Sequence, residues 1–156
     1  MDQATDNSNA LVRPPIAWAL AFVAGLAADW LYPLPFVPPS IPDVWVGGAV
    51  FAIAFALAIW AISTIRNAGT RVETRQPTTT IVANGPYRFT RNPIYIGMLL
   101  GQTGLAIGFN SVWLLATLVA FYFVIRYGVI AREEAYLERK FPDVYLAYKS
   151  HVRRWL

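Results

Sequence analysis

Two short stretches of this chain concentrate side chains able to bind and react. The first runs Gly85-Pro86-Tyr87-Arg88-Phe89-Thr90-Arg91-Asn92-Pro93-Ile94-Tyr95-Ile96-Gly97, and the second opens with Arg132-Glu133-Glu134. Together they offer phenols, guanidinium groups, an amide and adjacent carboxylates. A carboxylate suits an ammonium group, while phenols and amides donate and accept hydrogen bonds around it. Both stretches lie against long apolar runs, where polar groups that leave water must find partners. Such a concentration points to a bound, charged small molecule.

Each fragment also has a purely structural reading. Asn84-Gly85-Pro86-Tyr87 is a turn signal in which Gly85 can take a conformation closed to other residues. Arg91-Asn92-Pro93 reads as a helix start, with Asn92 as N-cap and Pro93 at the first position. Tyr87 and Tyr95 suit a membrane interface, and Arg88 and Arg91 suit topology anchors. Glu133 and Glu134 directly follow an apolar span, where carboxylates near a helix C-terminus are unfavourable. Either a new helix begins there, with both in its first turn pairing to Arg132 or Arg139, or one receives an ammonium group.

The chain has no cysteine and a single histidine, His151. Disulfides, thiolate ligands, a cysteine nucleophile and a histidine metal cluster are therefore excluded. Chemistry must rest on carboxylates, tyrosines, arginines, amides and a bound cofactor, without metal. His151 lies in a basic tail and reads as a solvated or headgroup-facing side chain. Asp29, at the far end of a span, reads as reaching the outer interface.

The elements that position these groups are membrane helices. Of the 156 residues, 56% are apolar and 14% charged, against roughly 45–50% and about 25% in soluble domains. Val44 to Ile65 is an uncharged run of 22 residues, enough for a hydrocarbon core that needs about 20. Val112 to Ala131 is a second, interrupted only by Arg126. Ile16 to Leu31 and Ile94 to Phe109 are shorter and read as short or tilted crossings. Residues 1–13 read as a disordered polar tail and 14–156 as one domain. The prolines between Pro33 and Pro42 end the first span, and Asn110-Ser111 makes a tight hairpin between the third and fourth.

The basic residues test this four-span reading. Arg13 precedes the first span, five arginines lie between Arg66 and Arg91, and the rest fall at or beyond Arg126. All 13 are on one side, as four spans with both termini cytoplasmic require. The net charge of +4 is thus a matter of topology, and no nucleic-acid partner is implied. In a bacterium the expected location is the inner membrane. The tail from Leu137 to Trp155 is amphipathic, and Pro142 divides it into two short helices. It either lies in the headgroups with its aromatic face or folds back over the ends of the third and fourth spans, and the two are compatible.

Over Ile81 to Trp155 the chain resembles the integral-membrane methyltransferases that include isoprenylcysteine carboxyl methyltransferases and phospholipid methyltransferases. Their first motif is Gly-x-Tyr-x-x-x-Arg-His-Pro-x-Tyr-x-Gly. Their second is Glu-Glu followed by Leu, Phe-Gly and two spaced tyrosines, matched here by Glu133-Glu134, Leu137, Phe141-Pro142, Tyr145 and Tyr148. The resemblance implies S-adenosylmethionine as cofactor, a lipid-like or isoprenoid small-molecule acceptor and membrane lipids as partners, and leaves oligomeric state open. By this likeness Thr79, Ile81 and Val82 lie along the cofactor, Tyr87, Asn92, Pro93 and Tyr95 form its pocket, and Glu133 with Glu134 takes its amino group. Asn92 stands where the family has histidine, so hydrogen bonding is kept and proton transfer is not. Eukaryotic prenylcysteine enzymes carry an arginine four residues before the cofactor glutamate. Val129 occupies that place, leaving Arg126 or Arg132 as substitutes for holding an acceptor.

Two other classes compete. Sterol-reductase-like membrane proteins, which use a nicotinamide cofactor, carry a related Arg-His-Pro-Asn-Tyr-x-Gly string, but Ile94 replaces its asparagine and this chain is far shorter. A small four-span transporter without catalysis would use a polar residue within a span, such as Arg126, Gln102 or Asp29. The topology has a direct check: cysteine labelling or reporter fusions at Ser40 and Ser150 should report opposite sides of the membrane, and the same side for both would reject it.

Overall fold

The computed structural model describes residues 8–70 and 77–156, and among these there are helices and no strands. The helices are α1 (Pro14–Leu31), α2 (Asp43–Asn67), α3 (Pro93–Gly108), α4 (Val112–Ile125), α5 (Ala131–Lys140) and α6 (Pro142–His151). A 3-10 turn, Gly85–Arg88, precedes α3, and a π-helical turn, Arg126–Ile130, joins α4 to α5. Prolines open α1, α3 and α6, where the missing N–H has no intrahelical partner to lose. For that reason α1 starts at Pro14, two residues before the expected span. Ser111 caps α4 by accepting from the Leu114 amide.

α1, α2 and the continuous helical stretch Val112–Lys140, of 18, 25 and 29 residues, are long and apolar enough to cross a membrane; α3, with 16 residues, is shorter. The fourth span does not stop at Ala131. Backbone angles at Ile130 (φ −57°, ψ −46°) remain helical, so Glu133 and Glu134 continue one long helix rather than opening a new one. The π turn inserts an extra residue per turn and rotates everything after it relative to α4.

Successive spans run antiparallel. At one end the Leu11 amide donates to Gly128 O (3.0 Å), and Trp18 Nε1 donates to Met98 O (3.1 Å). At the other, Trp113 Nε1 reaches Tyr32 O (2.7 Å), and Asn110 Oδ1 accepts from the Phe36 and Val37 amides (2.8 and 2.7 Å). Asn110 thereby anchors the proline-rich connection, from a left-handed conformation (φ 50°) that asparagine tolerates. The expected disorder of residues 1–13 is corrected in part. Ser8 and Ala10 are buried, and Ala10 packs with Tyr95, Val129 and Ile130. Residues 1–7, and with them the rest of that expectation, lie outside the described residues, as do Arg71 and Arg75.

α2 and α3 approach backbone to backbone. A Cβ on Gly47 would lie 2.4 Å from Gly108 N and 2.5 Å from Gly104 O, and one on Gly104 would lie 2.7 Å from Phe51 N. Between helices in lipid, where apolar burial adds no driving force, such close contact and interhelical hydrogen bonds supply the cohesion. Gln102, fully buried, ties α3 to α4 through Thr117 Oγ1 (3.1 Å) and Leu114 O (3.3 Å). Ile53, Phe55 and Trp45 point outward from α2, an arrangement suited to hydrocarbon and its interface.

The glycine contacts generate a paired test. Gly47→Ala should destabilise by about 1–3 kcal/mol, the usual cost of overpacking. Gly48→Ala, whose added methyl meets nothing within 4 Å, should be neutral or slightly stabilising. Thermal unfolding in detergent compares them, and equal melting temperatures would refute the α2–α3 contact.

Candidate functional site

The site is assembled at the end of the bundle where α2 and α4 finish and α3 begins. Gly85 starts the 3-10 turn with φ 55°, and a Cβ there would sit 2.7 Å from Thr64 Oγ1 at the end of α2. Glycine is needed both for the angle and for the approach. The turn buries Pro86 and Tyr87. The next residues are held by the end of the chain: Arg91 N donates to Arg153 O (2.9 Å), while Thr90 Oγ1 and Asn92 Nδ2 both donate to Arg154 O (3.1 and 2.9 Å). Of the two arrangements open to the amphipathic tail, the structure adopts the fold-back. Tyr145 is buried, and Tyr148 Oη donates to Tyr87 O (2.6 Å).

The two carboxylates of the second motif have opposite surroundings. Glu134 is saturated with cations: Oε1 accepts from Arg91 Nη2 (2.8 Å) and Arg154 Nε (2.9 Å), and Oε2 accepts from Arg154 Nη2 (2.5 Å). The side chains of Arg91 and Glu134 are each only 8% exposed. Charge-assisted bonds of this kind are strong, and stronger still away from water. Among the described residues, Glu133, one residue earlier, accepts only from Tyr95 Oη, at 3.0 and 2.9 Å from its two oxygens. Among the described residues no guanidinium or ammonium group pairs with it.

Both carboxylates face one cleft, together with Ile81, Val82, Tyr87, Asn92, Pro93 and Tyr95. The Tyr87 hydroxyl is buried there without a hydrogen-bond partner among the described residues. Burial, then the neighbouring Tyr148 and Glu133, push its pKa up, so it stays a neutral phenol able to donate and accept. Burial likewise raises Tyr148 to about 12.

A family model described as phospholipid methyltransferase matches residues 42–144, which include the first motif and the second as far as Phe141-Pro142. The chain belongs to the phospholipid methyltransferase family. An uncharacterized protein of Haemophilus influenzae is 50% identical over 59 residues, covering 38% of this chain and 89% of that protein. No solved structure matches the chain. The resemblance to membrane methyltransferases, drawn from the two motifs, is borne out at the level of the family.

Within this family member, eight of the residues expected at the cofactor converge on the cleft; Thr79 does not line it. Its amide donates to Thr70 Oγ1 (3.0 Å), and its neighbours Thr78 and Thr80 line the cleft instead. Arg126 and Arg132 lie outside it as well. Arg126 stacks over the Tyr127 ring, and Arg132 donates to Asn9 O (3.0 Å). Asn92 occupies the N-cap position of α3 without capping it, because its amide is turned to Arg154 O. His151 is exposed, as expected. Sequence reasoning missed Arg154, whose only signal was a basic pair near the end of the tail. It also missed Tyr136, whose hydroxyl accepts from Thr78 N (3.3 Å) and Lys140 Nζ (3.0 Å) and so ties the 77–82 loop to α5.

The role of Asn92 is therefore to hold the tail. Asn92→Leu should cost about 0.5–1.5 kcal/mol by removing one hydrogen bond to Arg154 O, which keeps Thr90 Oγ1 as a donor, seen as a lower melting temperature in detergent. Asn92→His, which keeps a ring N–H, should lose less; equal stability of the leucine variant and wild type would exclude the contact.

Proposed function

We propose that this chain transfers a methyl group from S-adenosylmethionine to a lipid-like acceptor at the cleft between α3, α5 and α6. The observation that carries this reading is Glu133: a carboxylate facing a cleft, fixed by one phenol and left without a cation among the described residues, next to a carboxylate held by two guanidinium groups. A carboxylate away from water without a cation is costly, and a ligand's ammonium group relieves that cost. The unpartnered Tyr87 hydroxyl in the same cleft is a second polar group suited to a ligand. The residues present therefore fit the cofactor.

S-adenosylmethionine, when bound, supplies a methyl group already activated by its sulfonium. The protein's part is to bind, orient and exclude water, with proximity as the main catalytic contribution. Glu133 takes the amino group, and Tyr95 fixes the direction in which that carboxylate points. Ile81 and Val82 form an apolar wall, with Pro93 at the start of α3. Ile65, Ile94 and Leu137 extend the lining with aliphatic surface suited to an acceptor arriving from the bilayer. The cofactor arrives from the cytoplasm, the side to which the basic residues assign this end.

The charge of the cleft bears on the acceptor. Among the described residues its lining holds one cation, Arg91, and Glu134 engages it. Val129, where prenylcysteine enzymes have arginine, is fully buried in the core. A neutral or amine acceptor fits these surroundings better than a carboxylate.

Glu133→Gln should weaken S-adenosylmethionine binding by about 2–5 kcal/mol, the cost of removing a buried charged partner. Arg139→Gln, on an exposed side chain, should change it by less than about 1 kcal/mol. Calorimetric titration of the detergent-purified proteins compares them, and equal small effects would reject the assignment of Glu133.

A further inference from the structure

We propose that Glu134 is a positioning residue whose function is to sequester Arg91, so that Glu133 stays free of protein cations and available to the cofactor. This rests on the reading of Glu133 as the ammonium site. It explains why two consecutive carboxylates face one cleft while only one carries arginines.

Arg91 is the only cation among the described residues lining the cleft. It cannot leave easily, because its backbone amide is bonded to Arg153 O and its Nη1 donates to Lys149 O and Val152 O (3.3 Å each). Nor can it hydrate, with a side chain 8% exposed. Arg91 and Glu133 line the same cleft, and the carboxylate that Arg91 holds belongs to the residue directly after Glu133. A buried guanidinium deprived of its carboxylate turns to the next one, since leaving it unpaired is the costlier state. Without Glu134 that next carboxylate is Glu133, and an internal ion pair would then compete with the ligand's ammonium. Arg154 poses no such competition: it is 31% exposed and can return to water. Arg154 also holds Glu134 from the far side, which keeps that carboxylate in place for Arg91.

The test is a rescue. S-adenosylmethionine binding is measured by calorimetry on full-length protein in detergent for Glu134→Gln, for Arg91→Gln/Glu134→Gln and for Glu133→Gln. Glu134→Gln should raise Kd by about tenfold or more. The double variant, lacking the competing cation, should return to within about threefold of wild type, a coupling that independent sites do not show. A residue that merely stabilised the fold would give a double variant no better than the single one. Should Glu134→Gln alone fail to fold, the double variant decides by itself: binding near wild type supports sequestration, and weak binding overturns it. Wild-type binding by Glu134→Gln overturns it too. Weakened binding by Glu133→Gln without recovery in the double variant defeats this inference alone. Undiminished binding by Glu133→Gln defeats the ammonium site and this inference together.

Discussion

The ion cluster of Glu134 with Arg91 and Arg154 is the constraint on which the rest of this end of the molecule depends. It joins three segments distant in sequence: the approach to α3, the first turn of α5 and the residues beyond α6. Away from water, breaking such a cluster on one side leaves an uncompensated charge, so all three segments are locked together. Their backbones add further bonds, since the Arg153 and Arg154 carbonyls accept from the first motif. The fold-back of α6 and the walls of the cleft follow from this cluster.

The bundle sets where the cluster forms. Glycine-to-backbone contacts fix α3 against α2, and Gln102 fixes it against α4, so the start of α3 has a defined height beside α5. The π turn then decides which way Glu133 and Glu134 point. A residue inserted into a helix turns the following side chains by about 100°. This rotation directs two carboxylates at the end of a span towards α3 and away from lipid. The Leu11 amide, bonded to Gly128 O within the turn, pins the N-terminal segment to the same point.

Much of this was written in local patterns. The spans are visible because each is a nearly charge-free apolar run, and Pro14, Pro93 and Pro142 mark where helices start. Gly85 announced its turn, since Asn-Gly-Pro has few other conformations. Six of the eight cleft residues were visible through two motifs that match a family, and Ile81 and Val82 through the loop that leads into the first. What stayed hidden depends on long-range geometry. Continuity of the helix through Ile130 has no breaker or cap to signal it, and glutamates after an apolar run look like a fresh helix start. Asn92 looks like an N-cap because its type and position fit, yet a carbonyl 62 residues away takes its amide. Arg154 looks like one more membrane anchor. Which of two adjacent carboxylates is saturated and which is free is decided by a contact between the second motif and the tail, and no spacing rule encodes it.

Methyl transfer from S-adenosylmethionine at a membrane-boundary cleft leaves a label that can be followed. The most direct measurement is incubation of the purified protein with methyl-labelled S-adenosylmethionine and a total lipid extract, followed by separation of the lipids. Time-dependent label should appear in a lipid product if this chain carries out that transfer. An unlabelled lipid fraction, together with no detectable binding of S-adenosylmethionine to the folded protein, would contradict it.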